Sequence, residues 1–136
     1  MREIKFRGKC VHSDAWAYGS FVDYGEEELP EIHGFDPYRE GVDNWREITV
    51  ERNTLGQFTG LTDKNGREIY EGDVFLDTEY YEPTYRKIVY RNGQWEAVAS
   101  DGIWCPLLKD QEPLSDELRH IEIIGNIHDN PELLKQ

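Results

Sequence analysis

Ile4, Phe6 and Gly8 alternate with Lys5, Arg7 and Lys9 at the start of the chain. That period of two suits a half-buried strand, whereas a helix would scatter the same residues around its circumference. After turn chemistry at His12-Ser13-Asp14, a second alternating run sets Trp16, Tyr18, Ser20 and Val22 against Ala15, Ala17, Gly19 and Phe21, which predicts an N-terminal hairpin. Gly19 within that run marks either a bulge or a place where another backbone comes close.

From Asp23 to Glu47 the alternation dissolves into Glu26-Glu27-Glu28, Pro30, Gly34, Asp36-Pro37 and Gly41. The 23–47 stretch reads as a long acidic loop with a short strand near Ile32; a connection of this length is uncommon in a small domain and often functional. Its aromatic residues, Tyr24, Phe35, Tyr38 and Trp45, imply that it packs against something: the open end of a barrel, or a partner.

Extended structure resumes at Ile48-Thr49-Val50 and leads into Gly56–Val74, where two turn signals separate short apolar runs. Asp63-Lys64-Asn65-Gly66 has Asp at the first turn position and Gly at the last, which predicts a type I turn whose glycine is left-handed. Glu71-Gly72-Asp73 is a second tight connection before the strand Val74-Phe75-Leu76. Glu79-Tyr80-Tyr81-Glu82-Pro83 reads as a loop or edge extension, because proline cannot donate to a central ladder. Asn92-Gly93 between Tyr85–Arg91 and Gln94–Ala99 is the strongest short-range hairpin signal in the chain. Beyond the Asp101-Gly102 turn, Pro106 restricts Ile103–Leu108 to a short or edge strand.

Ser115 can cap a single helical turn within Pro113–Leu118. Ile121, Ile123, Ile124 and Ile127 around Gly125 form a nearly continuous β-branched run, the pattern expected of the most buried strand. Asn130-Pro131 then signals the start of a short C-terminal helix whose Leu133 and Leu134 would cover the core.

Composition agrees with this pattern. Apolar residues make up 38% of 136 residues, enough for a core, and the scarcity of Met beside abundant Ile, Val, Tyr, Trp and Gly favours pleated structure over helix. The expected class is all-β: one small barrel-like domain over residues 1–136, built of bent antiparallel strands with long loops. A net charge of −13 opposes non-specific binding to a phosphate backbone and implies either simple solubility or an anionic face for a basic partner. The N-terminus lacks the apolar run of a signal peptide and no segment approaches a membrane span, so a soluble cytoplasmic protein is expected. Two cysteines, Cys10 and Cys105, are too few for a disulfide scaffold and read as free thiols.

Four strings, MREIKFRGK, AWAYGSFV, LGQFTGLTDKNGREIYEGDVF and IEIIGNIHDNPELL, occur in this order from one terminus to the other. Together they resemble the YopX-like family of small bacteriophage and prophage proteins. The resemblance implies a β-rich domain related in shape to SH3-type barrels, expressed in the host bacterial cytoplasm. It implies no established activity and offers no catalytic residues.

Motifs for catalysis are absent. Gly56-x-x-x-Gly60 is not followed by Gly-Lys-Ser/Thr, no G-x-G-x-x-G opens a helix, and neither nucleophile-elbow spacing nor a reactive-cysteine context is present. A metal site gathering His33, Asp36 and His128 is conceivable, but their wide spacing argues against it and none is expected; no cofactor is expected either. Glu68, Glu71 and Asp73 could serve as paired hydrolytic carboxylates, although turn chemistry explains them more simply. The basic row Lys5, Arg7 and Lys9 and exposed rings could support single-stranded nucleic-acid binding, against the sign of the net charge. The leading expectation is a non-catalytic module that binds a host or phage protein. Its candidate partner-binding residues are Tyr24, Glu26, Glu27, Glu28, Phe35, Tyr38, Trp45, Tyr80 and Tyr81. Edge strands also make self-association compatible with the pattern.

Overall fold

Period-two alternation sorts the first part of the chain into two faces. In the computed structural model, which describes residues 3–35, 45–78, 82–109, 112–113 and 121–135, the chain divides into two compact units, Met1–Phe58 and Thr59–Gln136. Strands β1 (Phe6–Lys9), β2 (Trp16–Val22), β3 (Glu31–Phe35) and β4 (Trp45–Thr49) form the first unit in the order β4-β3-β2-β1, all antiparallel. Inward positions hold Ala17, Ile32 and Val50, with Phe6, Cys10, Phe21, Ile48 and Leu55 packed beside them. Phe6 and Phe21 meet at 5.4 Å between ring centroids. An isolated bridge between Cys10 and Val50 ties the chain after β4 to the chain after β1.

The described parts of the 23–47 stretch, 23–35 and 45–47, are more regular than the sequence implies. Ile32 belongs to a five-residue strand, and Trp45, Arg46 and Glu47 belong to β4, in register with Phe35, Gly34 and His33. Glu31, His33 and Glu47 lie on the face opposite Ile32 and Ile48, which point into the core, so a charged composition conceals an ordinary alternation. Gly19 serves close approach: a Cβ there would lie 2.2 Å from the carbonyl oxygen of His33. Glycine at this position lets β2 seat against β3.

Strand β5 (Gly56–Thr62) begins in the first unit, where Gly56 and Gln57 pair with Arg7 and Phe6. It neighbours β6 (Glu68–Tyr70), and the hydroxyl of Thr59 donates to the Ile69 carbonyl at 2.8 Å. The second unit also contains β7 (Asp73–Asp77), β8 (Thr84–Arg91), β9 (Gln94–Ala99), β10 (Trp104–Pro106), the short pair β11 (Leu108–Lys109) and β12 (Glu112–Pro113), and β13 (Ile123–Asn126). Its main sheet runs β10-β9-β8-β7-β13. Leu61, Ile69, Phe75, Ile88, Trp95, Ala97, Leu107, Ile121 and Ile123 form its core. The Asn92-Gly93 hairpin forms as the sequence predicts: Arg91 pairs with Gln94, and both loop residues have positive φ, 53° and 77°. Pro106 ends a three-residue edge strand, also as expected.

Two expectations near the C-terminus are corrected. Within the Ile121–Ile127 run only Ile123–Asn126 is strand, at the sheet edge with a register shift between Ile123 and Gly125, and Ile124 is exposed while Ile121 and Ile123 are buried. Among the strands whose burial is described, β9 is the most buried, with Trp95 to Ala99 all inside. Pro131–Lys135 forms a short 3-10 helix that packs against β8, with Leu133 and Leu134 half-buried. Asn130 does not cap it through its side chain; its Oδ1 accepts the backbone N–H of Asn126 at 3.2 Å. The helical turn expected in Pro113–Leu118 falls largely outside the described residues, and Pro113 itself lies in β12. The described residues are all-β, and among them no full ladder closes either sheet into a barrel.

Candidate functional site

Three side chains of the first unit converge on one another around a single carboxylate. Glu31 and His33 alternate outward on β3, and the Ile32 between them anchors the strand in the core. The hydroxyl of Tyr24 donates to Glu31 Oε1 at 2.6 Å, and His33 Nε2 lies 3.0 Å from the same oxygen. Glu47 is directly opposite His33 on β4. One ligand atom each from Glu31, His33 and Glu47 lies within 4.8 Å of the others, so this trio could hold a metal ion.

The electrostatics follow from the hydrogen bonds. The Tyr24 hydroxyl and the His33 ring stabilise the charged form of Glu31 and hold its carboxyl below its usual range, despite some desolvation. The same bond pushes the Tyr24 phenol up, helped by burial and by the charges of Glu31, Glu47 and Glu28.

Arg52, from a 3-10 turn over Arg52–Thr54, organises the loop that leads into this cluster. Its Nη2 donates to the carbonyls of Gly25 at 2.8 Å and Glu28 at 3.0 Å, while Nη1 meets both carboxylate oxygens of Asp23 at 3.3 Å. The backbone N–H of Gly25 also bonds Asp23 Oδ1 at 3.0 Å, and this bond and the Arg52 charge outweigh desolvation to lower the Asp23 carboxyl. One guanidinium thus fixes both ends of the turn that presents Glu26, Glu27 and Glu28 to solvent.

Of the expected partner-binding residues, Tyr24 joins the cluster, Glu26, Glu27 and Glu28 are exposed on the clamped turn, and Trp45 is half exposed at the start of β4. Phe35 lies in β3 opposite Trp45. Tyr38, Tyr80 and Tyr81 lie outside the described residues. Sequence reasoning named His33 with other partners and missed Glu31, Glu47 and Arg52. The available signal was the alternation Glu31-Ile32-His33 beside Arg46-Glu47-Ile48, two polar-apolar patterns that one hairpin brings into register. His33 is gathered with Glu31 and Glu47 in the first unit; His128 belongs to the second unit, where its backbone N–H bonds Asn126 Oδ1. Asp36 is outside the described residues.

The alternative sites look different. Asp73 is fully buried and its Oδ2 accepts the Tyr70 N–H at 2.8 Å, the action of a turn lock. Glu68 accepts from the Tyr70 hydroxyl at 3.3 Å. In the basic row, Arg7 is buried with its guanidinium 4.7 Å from the Trp16 ring, and Lys5 lies over Phe58 and pairs with Glu3 at 3.6 Å. That row does not present three free cations. No described helix is long and apolar enough to cross a membrane.

Known proteins share this architecture. The family described as YopX protein matches residues 5–135. No curated protein matches the chain. Among solved structures, the crystal structure of protein EF1440 from Enterococcus faecalis is similar over 98% of this chain and 99% of its own, with a TM-score of 0.52 and 20% identity, a likeness of fold.

Proposed function

The chain belongs to the YopX family, and from that premise we propose that it is a non-catalytic, phage- or prophage-encoded module that binds a protein through the outward face of its first unit. The observation that carries this reading is the ordered acidic turn 23–30, which Arg52 clamps and which contains the exposed ring of Tyr24, with the exposed ring of Trp45 at the far end of the adjoining β3–β4 ladder. Exposed aromatic rings supply rigid apolar contact area, and surrounding carboxylates supply complementarity to a basic partner. The net charge of −13 makes such a partner the electrostatically favoured one. In this reading the second unit is the scaffold, with the SH3-like shape that the resemblance implies, and the protein acts in the host cytoplasm.

Affinity capture from host lysate tests the proposal when wild type is compared with Tyr24→Ala/Trp45→Ala and with Glu26→Gln/Glu27→Gln/Glu28→Gln. The expected result is one basic protein retained by wild type in a salt-sensitive manner, lost from the aromatic double variant, and held more weakly and with less salt dependence by the charge variant. Retention of the same protein by all three would overturn the assignment of the face.

A further inference from the structure

We propose that Glu31, His33 and Glu47 form a binding site for one divalent first-row transition cation of the zinc type. This inference stands apart from partner binding and requires none.

The donor set and its support are both present. Imidazole nitrogen with carboxylate oxygens suits zinc and its neighbours, whereas calcium and magnesium favour all-oxygen shells. Glu31 and His33 share one face of β3, and the ladder places Glu47 directly across from His33. Three donors on two hydrogen-bonded strands are preorganised, because neither strand can shift without breaking the pairing of Ile32 with Ile48 in the core. The ligand atoms already lie within 4.8 Å of one another. Bonds of about 2.0–2.2 Å in a tetrahedral shell separate ligand atoms by about 3.3–3.6 Å. His33 Nε2 and Glu31 Oε1, at 3.0 Å, are close to that spacing. Glu47 is exposed and can close the remaining gap by side-chain rotation.

A cation between His33 Nε2 and Glu31 Oε1 binds the Nε2 lone pair, and a proton carried by Nε2 moves to Nδ1 or is released to solvent. Two carboxylates neutralise the ion, leaving one or more coordination positions for water. The Tyr24 hydroxyl, 2.6 Å from Glu31 Oε1, is positioned as the outer partner that orients a ligating carboxylate.

The test titrates the metal-free full-length protein with zinc(II) by calorimetry and with cobalt(II) by visible absorption. The expected result is one ion per chain with an absorption spectrum of nitrogen and oxygen ligands and no thiolate charge-transfer band, which separates this site from Cys10 and Cys105. Tyr24→Phe should weaken binding roughly 10–100-fold, and His33→Ala or Glu47→Gln by more than that. His12→Ala and His128→Ala should leave it unchanged. Glu47→Gln alters an exposed side chain, so a melting curve like wild type's would show that its effect is on the site. The proposal is overturned by absence of stoichiometric binding, by a thiolate spectrum, or by binding that survives His33→Ala.

Discussion

The carboxylate of Asp63 accepts the backbone N–H of Ile123, sixty residues further along the chain, at 3.0 Å. Its other oxygen receives the N–H groups of Asn65 and Arg67, each at 2.9 Å. One buried side chain thus closes its own turn and pins the edge strand β13 beside it, with Lys64 N–H donating to the Ile121 carbonyl at 3.0 Å. Asp63→Ala should therefore cost at least about 1.5–3 kcal/mol in urea unfolding, because a charged acceptor is removed from a buried amide. A loss below about 0.5 kcal/mol would show that water replaces the carboxylate.

Acid should destabilise the second unit. Burial works against the charge of Asp63, but the N–H groups of Ile123, Arg67 and Asn65 outweigh it and hold the folded carboxyl below its usual range. Glu96 behaves alike: burial opposes its charge, while the Gln94 amide and the Arg91 guanidinium overcome it. A carboxyl with a depressed folded pKa contributes stability above its unfolded pKa, about 4, and loses it as pH falls through the folded value. Unfolding midpoints should be level from neutral pH to about 5 and fall below about 4, with a shallower fall in Asp63→Asn.

Two glycines set backbone strain alone against strain with crowding added, since Gly19 also has a positive φ, 156°. Gly66 has φ 81°, and a Cβ added there would meet nothing within 4 Å, so Gly66→Ala should cost only the left-handed penalty of about 1–2 kcal/mol. Gly19→Ala meets the His33 carbonyl oxygen at 2.2 Å and should cost more, while shifting the strand that carries Glu31 and His33. Equal losses in thermal melts of the two variants would contradict this distinction.

Arg86 and Asp77 form a buried ion pair at 2.8 Å, and Arg86 also donates to the Ile103 carbonyl at 2.9 Å. Arg86→Met removes the guanidinium from a buried carboxylate and should cost about 3–5 kcal/mol. Asp77→Asn/Arg86→Met should recover part of that loss in the same chemical-denaturation series.

Arg52 should matter locally more than globally. Its ion pair with Asp23 is half exposed and contributes little to overall stability, yet its bonds to Gly25 and Glu28 hold the acidic turn. Arg52→Ala should leave the melting temperature nearly unchanged and speed amide hydrogen exchange across residues 23–30.

Local chemistry made much of the fold legible. Asn92-Gly93, Asp63–Gly66 and the Trp16–Val22 alternation each specify backbone geometry through residues a few positions apart, and each forms as the sequence predicts. The four ordered strings likewise carried the family. What remained hidden depends on partners distant in sequence. Glu47 looks like one more acid in an acidic stretch until β4 lies beside β3, and Arg52 looks like a surface cation until its guanidinium meets Gly25 and Glu28. Ile124 shows the reverse error: an apolar residue in an apolar run is exposed because the strand is at an edge.

Site-specific photo-crosslinking tests the protein-binding face most directly. A benzophenone side chain placed at Trp45, exposed on the first unit, is compared with one placed at Tyr90, equally exposed on the second. The expected result is a covalent adduct with a host or phage protein from position 45 and none from position 90. An adduct formed only from position 90 would contradict the assignment of that face.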